Sequence, residues 1–294
     1  MGESFLKRVG EEVLVMNGAM ATVVHQMGAD LGKCVSQWIV EHPAVYRSLV
    51  EDYFRVGCDI VSGATFALNR MSLAKFGLAE KVEELNRGVI GIIQEVRPER
   101  AFVAGNLGPT GRFLKPLGDV SGEELLEVYS EQVQALARSG VDLISIITMY
   151  DLEETVIALR AAKRETSLPV MASLAFDPAP QGYRTMMGVS PEAAAERLEA
   201  EGADVIGANC GSVSLGQVTE VIRLLRAHCR KPLIAKPNAG SPQVVEGREK
   251  YAAGPEQFAE HVKDWVREGA KIVSACCGST PLHIEKMVKK LREP

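Results

Sequence analysis

Gly140-Val141-Asp142-Leu143-Ile144 joins a helical stretch to a short apolar run, and the chain repeats this junction three more times. The other copies read Gly57-Cys58-Asp59-Ile60-Val61, Gly202-Ala203-Asp204-Val205-Ile206 and Gly269-Ala270-Lys271-Ile272-Val273. Glycine suits the left-handed position that ends a helix, and a β-branched run directly after it predicts a buried strand. A helix–glycine–strand junction used four times is typical of repeated β/α units.

Short apolar runs continue on both sides of these junctions and predict eight strands. The runs are Glu12–Asn17, Cys58–Gly63, Ala101–Asn106, Asp142–Thr148, Pro169–Ser173, Asp204–Asn209, Pro232–Pro237 and Lys271–Ala275. Stretches with helical spacing of apolar residues separate them. Eight strands alternating with helices predict an α/β fold, a single (β/α)8 TIM barrel over residues 1–294. A doubly wound open sheet is the alternative, but no glycine-rich phosphate fingerprint follows the first strand.

The composition limits the partners and the compartment. The chain has 294 residues, is 46% hydrophobic and carries a formal net charge of -5. Without a long basic run, neither nucleic acid nor an anionic membrane is an expected partner. The charged N-terminus lacks an apolar signal segment, and no apolar run is long enough to span a bilayer, so we expect a cytoplasmic protein. In that reducing compartment, six cysteines favour metal or catalytic roles over disulfides.

Three of the cysteines follow predicted strands at the end of the barrel where βα loops carry function. Cys210 follows the sixth strand, and Cys276 and Cys277 follow the eighth. Neighbouring positions around the ring would let the three sulfurs converge. The alternative is that a cysteine serves only as a small buried apolar residue, as free cysteines often do. That interpretation suits Cys34, Cys58 and Cys229.

Three thiolates are a soft ligand set suited to zinc, and three protein ligands leave a fourth tetrahedral position open, as in catalytic sites. A small thiol bound there would become a thiolate near neutral pH. Because zinc has no redox chemistry, nucleophilic attack by that sulfur is the expected reaction. A vicinal redox disulfide between Cys276 and Cys277 is an alternative that leaves Cys210 unused.

The chain resembles the homocysteine S-methyltransferase family over essentially its whole length. The motifs that carry the resemblance are Asn17-Gly18-Ala19-Met20-Ala21-Thr22, Thr65-Phe66, Gly105-Asn106-Leu107-Gly108-Pro109-Thr110-Gly111, Asn209-Cys210, Lys236-Pro237-Asn238-Ala239-Gly240 and Cys276-Cys277-Gly278-Ser279-Thr280-Pro281-Leu282-His283. The resemblance implies a (β/α)8 barrel in which Cys210, Cys276 and Cys277 are zinc ligands and catalytic residues. The substrate-binding positions that it implies are Asn17, Gly18, Ala19, Thr65, Phe66, Ile147, Asn209 and Asn238.

Two of the motif residues have a structural alternative to a role in the site. The side-chain oxygen of Asn238 either reaches the metal or the substrate, or fixes a Pro-Asn-Ala-Gly turn. For His283, one turn into the final helix, we expect a surface or helix-capping role, because three thiolates already complete the protein's share of the ligands.

The chain departs from the family on the substrate side. The family generally carries Asp at the position of Asn17, Glu at Ile147 and a further polar residue at Ala64, and the carboxylates surround the amino group of homocysteine in related enzymes. Their loss removes charge-assisted hydrogen bonds worth about 1.5–3 kcal/mol each. We therefore expect a small thiol acceptor without that amino group. Basic residues of the rim either bind an acidic group instead or are solvated surface charges, namely Arg70, Lys115 and Arg184.

Nothing in this chain supplies a methyl donor. It has no Asp-x-His-x-x-Gly motif to ligate a corrinoid cobalt and no glycine-rich S-adenosylmethionine loop after the first strand. The donor is expected either as a free methylated molecule or on a partner such as a methyl-corrinoid protein. The predicted function is a zinc-dependent S-methyltransferase acting on a small thiol. The alternatives are an ordinary homocysteine S-methyltransferase that forms methionine and a non-catalytic zinc-binding pseudoenzyme.

Overall fold

The computed structural model describes residues 4–30, 32–240, 243–245 and 248–293, with only the backbone of 243–245 and 248–250. Eight parallel strands form one sheet: β1 (Leu14–Val15), β2 (Ile60–Ser62), β3 (Phe102–Leu107), β4 (Leu143–Met149), β5 (Val170–Leu174), β6 (Val205–Asn209), β7 (Leu233–Lys236) and β8 (Ala270–Val273). Their order in the sheet is β1-β8-β7-β6-β5-β4-β3-β2. Each of the eight predicted strands overlaps one of these.

The first and second strands close the ring. A bridge joins Met16 to Ile60, and main-chain hydrogen bonds run from Asp59 N to Val15 O (2.8 Å) and from Asn17 N to Ile60 O (3.0 Å). The single (β/α)8 barrel is therefore confirmed, and the open-sheet alternative is wrong.

Helices surround the sheet, and two hairpins extend its loops. The helices are α1 (Phe5–Glu11), α2 (Ala21–Gln26), α3 (Val35–Glu41), α4 (Pro43–Arg55), α5 (Arg70–Ala74), α6 (Val82–Val96), α7 (Gly122–Arg138), α8 (Leu152–Glu165), α9 (Pro191–Ala200), α10 (Leu215–His228), α11 (Pro255–Arg267) and α12 (Pro281–Arg292), with a short 3-10 helix at Ala79–Lys81. Antiparallel pairs Asp177–Ala179/Gly182–Arg184 and Gln243–Val245/Arg248–Lys250 follow β5 and β7. Within the described ranges, no helix combines the length and apolar character needed to cross a bilayer.

The repeated junctions have the backbone that their glycines predict. Gly57, Gly140, Gly202 and Gly269 adopt φ values of 102°, 80°, 87° and 113°. In three copies the following aspartate adds a second connection, because its carboxylate accepts a hydrogen bond from the preceding strand. Asp59, Asp142 and Asp204 bind the main-chain N–H groups of Val15, Val103 and Val170 at 2.9, 2.7 and 2.8 Å. The junction thus ends a helix and also ties two neighbouring strands together.

The interior of the barrel changes character along its axis. Its amino end is an apolar cluster formed by Leu14, Met16, Ile60, Phe102, Ala104, Leu143, Met171, Val205, Ile234 and Ile272, with Phe5 and Val9 of α1 packed against it. Because side chains alternate along a strand, residues two or four positions further on face the same interior. These are the buried polar residues Ser62, Asn106, Ser145, Ser173, Asn209, Lys236 and Ser274. Helix α1 closes the apolar end, and polar groups converge at the other.

Candidate metal centre

Three cysteines meet at the carboxyl end of the barrel. Cys210 directly follows β6, and Cys276 and Cys277 follow β8. The Sγ atom of Cys210 lies 2.7 Å from that of Cys276 and 3.9 Å from that of Cys277, and all three sulfurs lie within 4.8 Å of one another. All three are free thiols. The structure therefore brings together the three residues that the sequence predicted as metal ligands.

The two cysteine loops depend on close backbone approaches. Cys210 has φ 55° and Gly211 has φ 68°, so the chain turns sharply as it leaves β6. A Cβ atom on Gly211 would lie 2.1 Å from the main-chain oxygen of Phe176. Gly278 has φ 79°, and a Cβ atom there would lie 2.1 Å from the Tyr251 ring. Glycine is required after each cysteine position because no side chain fits.

Asn238 connects the two loops. Its Oδ1 atom accepts a hydrogen bond from the main-chain N–H of Cys277 (3.1 Å), and its Nδ2 atom donates to the main-chain oxygen of Gly211 (2.9 Å). The side-chain oxygen is thus directed at the backbone of Cys277, a predicted metal ligand. This geometry favours a structural role, although the role joins two distant loops and does not fix a local turn.

Asn209 and Thr148 form a second connection beneath the sulfurs. The Asn209 Oδ1 atom accepts from Thr148 N (2.7 Å) and from the Ser173 hydroxyl (2.6 Å), and its Nδ2 atom donates to Thr148 Oγ1 (2.7 Å). Thr148 in turn contacts Cys210 Sγ at 3.6 Å. Its φ of 59° is an unfavourable backbone for a β-branched residue, of the kind that clusters at functional sites. Thr148 was not among the predicted site residues.

Lys236 places a buried positive charge under the cysteine loops. Its ammonium group donates to Asn17 O (2.8 Å), Ser274 Oγ (2.9 Å) and Ala275 O (2.7 Å), so each of its three N–H donors has an acceptor. Burial lowers the pKa of Lys236, while the nearby thiolates, Cys276 above all, act in the opposite direction. The sequence prediction quoted this lysine within a motif but assigned it no role.

The same charge acts on the sulfurs. Hydrogen bonds from Cys210 and then Cys277, followed by the charge of Lys236, lower the pKa of Cys276 well below its ordinary value. The hydrogen bond with Cys276 raises the pKa of Cys210 in return. Hydrogen bonding among the three sulfurs and the charge of Lys236 therefore favour a thiolate within the cluster.

The predicted substrate positions in the loop after β1 are packed against the last loop. Asn17 is fully buried, and its Oδ1 atom accepts from Ser62 N (2.7 Å) and the Ser62 hydroxyl (3.1 Å). A Cβ atom on Gly18 would lie 2.6 Å from Ser279 Oγ. The N–H of Ala19 donates to that same hydroxyl (3.0 Å). These contacts fix the loop beside Cys276.

The remaining predicted positions lie around the mouth. Thr65 is buried and exchanges hydrogen bonds with the backbone of Asn106 (2.8 and 2.9 Å), whereas Phe66 is half-buried over Gly108. Ile147 is only 6% exposed and brings an apolar side chain to the end of β4. Of the three basic rim residues, Arg70 is paired with Glu131 and Glu80, and Arg184 donates to the main-chain oxygen of Tyr183.

One buried carboxylate of this end was missed by the sequence prediction. Glu154 Oε1 accepts from Thr110 N (2.8 Å), the Thr110 hydroxyl (2.7 Å) and the Tyr129 hydroxyl (2.8 Å). It holds the Gly105–Gly111 motif loop against α8, and burial raises its pKa. A glutamate near the start of a helix is usually explained by its favourable interaction with the helix N-terminus. The sequence position of Glu154 therefore did not indicate a buried residue near the site.

The other cysteines and the motif histidine occupy structural positions. Cys34, Cys58 and Cys229 are buried free thiols away from the cluster, as expected. His283 is buried, which corrects the expectation of a surface position. Its Nδ1 atom accepts from Thr280 N (3.1 Å), so the expected helix-capping contact is present at the start of α12.

The donor set fits zinc. Tetrahedral zinc has bonds of about 2.3 Å to thiolate sulfur, which separates the sulfurs by about 3.8 Å. The 3.9 Å between Cys210 and Cys277 matches that spacing, and the 2.7 Å between Cys210 and Cys276 would open by roughly 1 Å. Cys210, Cys276 and Cys277 would hold the ion, and the side chains of Asn209 and Asn238 are engaged by other groups.

Proteins of known function share this architecture. Residues 14–291 match the family model described as homocysteine S-methyltransferase. Methionine synthase of Mycobacterium tuberculosis is 27% identical over 297 residues, covering 95% of this chain and 24% of the relative. That of Mycobacterium leprae is 27% identical over 300 residues, with 96% and 24% covered. The chain spans about a quarter of the length of these curated relatives.

Solved structures show the same fold. The metallated form of the homocysteine methyltransferase MmuM from Escherichia coli superposes with a TM-score of 0.79 at 21% identity, covering 96% of this chain and 97% of that one. The carboxyl transferase domain of Rhizobium etli pyruvate carboxylase gives 0.54 at 14% identity, with 97% and 48% covered. These similarities concern the barrel alone. The family match spans nearly every residue of the barrel, and this chain belongs to the homocysteine S-methyltransferase family.

Proposed function

We propose that this protein is a zinc-dependent S-methyltransferase that moves a methyl group from a separate donor to a small thiol. The observation that carries the proposal is the cluster of three free thiols, Cys210, Cys276 and Cys277, within 4.8 Å of one another at the mouth of the barrel.

Zinc would be held by these three sulfurs, and when bound it supplies the Lewis acidity that favours the thiolate form of an incoming thiol at neutral pH. The protein's own residues orient the ligands. Asn238 joins the two cysteine loops, Asn209 and Thr148 support the sulfurs from below, and Lys236 offsets part of the thiolate charge. No general base is needed for methyl transfer to a thiolate, in agreement with the absence of a His–carboxylate pair from the motif residues described.

The acceptor pocket does not suit an ammonium group. The Asn17 oxygen already accepts two hydrogen bonds from Ser62, and its amide nitrogen donates to Gly18 O (2.9 Å). Ile147 is apolar, and Lys236 adds a positive charge below. These contacts support an acceptor thiol that lacks the amino group of homocysteine. Ordinary homocysteine methylation is the second candidate, favoured by the family match over residues 14–291.

Exposed apolar side chains support a donor carried on a protein. Among the described residues, the exposed large hydrophobic side chains other than Leu6 all lie in loops or helix ends at the carboxyl end of the barrel. They are Met27, Phe76, Leu117, Met186, Met187 and Leu282. A contiguous apolar patch exposed around a site is typical of a surface that binds another protein. We infer that a separate methyl-corrinoid protein delivers the methyl group.

A panel assay tests the proposal. The zinc-loaded, reduced protein is mixed with methylcobalamin, with a methyl-corrinoid protein or with S-methylmethionine, and with homocysteine, 3-mercaptopropionate or 2-mercaptoethanol as the thiol. We expect methyl transfer to the thiols without an amine and weak activity with homocysteine. Rapid methionine formation would instead show an ordinary homocysteine methyltransferase. Zinc binding without transfer for any pair would show a pseudoenzyme.

A further inference from the structure

Methyl transfer at this centre raises a question of selectivity. The acceptor sulfur would share the site with three protein sulfurs, Cys210, Cys276 and Cys277, and thiolates of all four are nucleophiles. A methyl group transferred to a protein sulfur would disable the centre. The contacts beneath the cluster indicate how two of the protein sulfurs are protected, an inference that rests on the proposed zinc-dependent function.

The orientation of the Asn209 amide is fixed by its neighbours. Thr148 N and the Ser173 hydroxyl both donate to one side-chain atom, which must therefore be the oxygen Oδ1. The nitrogen Nδ2 then faces the opposite way. It donates to Thr148 Oγ1 at 2.7 Å and lies 3.9 Å from Cys276 Sγ, so its two N–H groups have one partner each.

The orientation of the Thr148 hydroxyl follows from this. Its Oγ1 atom already accepts a hydrogen bond from Asn209, so its proton is free to point elsewhere. Cys210 Sγ lies 3.6 Å away and is the acceptor in reach. The left-handed backbone of Thr148 (φ 59°) brings the hydroxyl to this position at the end of β4. The chain of donors therefore runs from Ser173 through Asn209 and Thr148 to Cys210.

We propose that Thr148 and Asn209 are positioning residues that lower the nucleophilicity of Cys210 and Cys276 by donating hydrogen bonds to their sulfurs. A hydrogen bond holds a sulfur lone pair that would otherwise attack the methyl carbon. Cys277 differs, because no side-chain N–H or O–H group in the described part of the chain donates to its sulfur. The methyl group is thus directed to the incoming thiol, and Cys277 is the most reactive of the protein sulfurs.

Alkylation without donor or acceptor tests this inference. The zinc-loaded, reduced protein is treated with methyl iodide, and the methylated fraction of each cysteine is followed over time by peptide mass spectrometry. In the reaction the thiolate sulfur forms a bond to the methyl carbon, and the carbon–iodine bond breaks to release iodide. We expect Cys277 to be methylated faster than Cys210 and Cys276. Equal rates at the three sulfurs would overturn the inference without any variant.

Thr148→Val removes the hydroxyl and keeps the branched shape, and Thr148→Ser is the matched control that keeps the hydroxyl. We expect Thr148→Val to speed methylation of Cys210 by about threefold to tenfold, the factor that one ordinary hydrogen bond represents. Thr148→Ser should stay near the wild-type rate. Zinc content and melting temperature are measured in parallel, because a merely structural role would change those and leave the rate at Cys210 in zinc-loaded protein unaltered.

The outcomes separate this inference from the proposed function. An unchanged Cys210 rate in zinc-loaded Thr148→Val overturns the inference and leaves the methyltransferase proposal standing. A wild-type protein that takes up no zinc overturns both. If the protein shows the expected alkylation pattern but transfers no methyl group to any thiol, the inference about the cysteine cluster stands and the proposed activity is wrong.

Discussion

The two ends of the barrel are built from the same eight strands and differ in the polarity of their interiors. At the amino end, α1 inserts Phe5 and Val9 into an apolar interior, and the Phe5 ring meets Phe102 edge-on with 5.5 Å between centroids. At the carboxyl end the interior is polar, two non-glycine residues hold left-handed backbones, and Lys236 is buried with its charge.

This difference suggests that the amino end contributes mainly to stability and the carboxyl end mainly to chemistry. Apolar burial at the amino end favours folding. The carboxyl end contains costly features, namely Thr148 and Cys210 with positive φ and a desolvated ammonium group. Such features persist only where the surrounding fold holds them in place. Substitutions at the amino end should therefore change unfolding, and substitutions at the carboxyl end should change metal binding.

The largest expected contrast is between two cysteines at opposite ends. Cys276→Ala removes a predicted zinc ligand, so we expect zinc affinity to fall by more than about 100-fold, since even loss of an outer partner costs 10–100-fold. Methyl transfer should cease. Cys229→Ala, the control at the end of α10, should retain full zinc content. Equilibrium zinc competition with a chelator measures both, and intact zinc binding by Cys276→Ala would contradict the assignment.

The second contrast concerns α1, the helix that closes the amino end of the barrel. Phe5→Ala removes an aromatic ring that is buried against Phe102, and we expect unfolding to become easier by about 3–5 kcal/mol. Zinc affinity of the folded protein should not change. Leu6→Ala, on the exposed side of the same helix, is the control and should cost little. Urea unfolding measures the free energies, and equal stability of Phe5→Ala and Leu6→Ala would show that α1 does not seal the barrel.

The third contrast concerns the buried charge. Lys236→Met removes the positive charge near the thiolates, so we expect zinc affinity to fall about 10–100-fold. Because the cation favours thiolate over thiol, zinc uptake by the variant should also require higher pH. Lys75→Met, at the rim beside Thr110, is the control and should bind zinc like the wild type. A pH series of zinc competition would contradict the account if the Lys236→Met curve matched the wild-type curve.

The smallest expected effect is a pH dependence from His283. Burial lowers the pKa of His283 below the ordinary 6.5, and the hydrogen bond to the main-chain oxygen of Ala253 acts in the opposite direction. Below pH 6.5 His283 takes up a proton more readily in the unfolded chain than in the folded protein. The free energy of unfolding should therefore decrease as the pH is lowered, by at most about 1.4 kcal/mol per pH unit. His283→Gln should flatten that slope between pH 6.5 and 5. Identical slopes in urea unfolding would argue against the helix-capping role.

The fold and the convergence of the three cysteines were predictable because they follow from local patterns. Gly140 ends a helix by its own conformational freedom, and the apolar run after it needs no distant partner to read as a strand. Once the strands are counted, Cys210 and Cys276 fall at strand ends that must meet at one edge of the barrel. Their convergence required topology but no atomic detail.

The parts that were missed depend on distant contacts. A threonine with positive φ is improbable from local preference, so Thr148 could not be identified without Asn209, 61 residues away, to hold it. A lysine at a strand end suggests exposure, and its burial depends on acceptors such as Asn17 O, 219 residues away. The hairpin Asp177–Ala179/Gly182–Arg184 was also missed, since it extends a loop and has no counterpart in the β/α repeat.

X-ray absorption at the zinc edge tests the central claim most directly. The zinc-loaded, reduced protein is measured alone and with an excess of 3-mercaptopropionate. We expect three sulfur neighbours at about 2.3 Å without the thiol and four with it. A zinc shell dominated by nitrogen or oxygen, or a sulfur count that does not change when the thiol is added, would contradict the claim that Cys210, Cys276 and Cys277 hold a metal open to an outside sulfur.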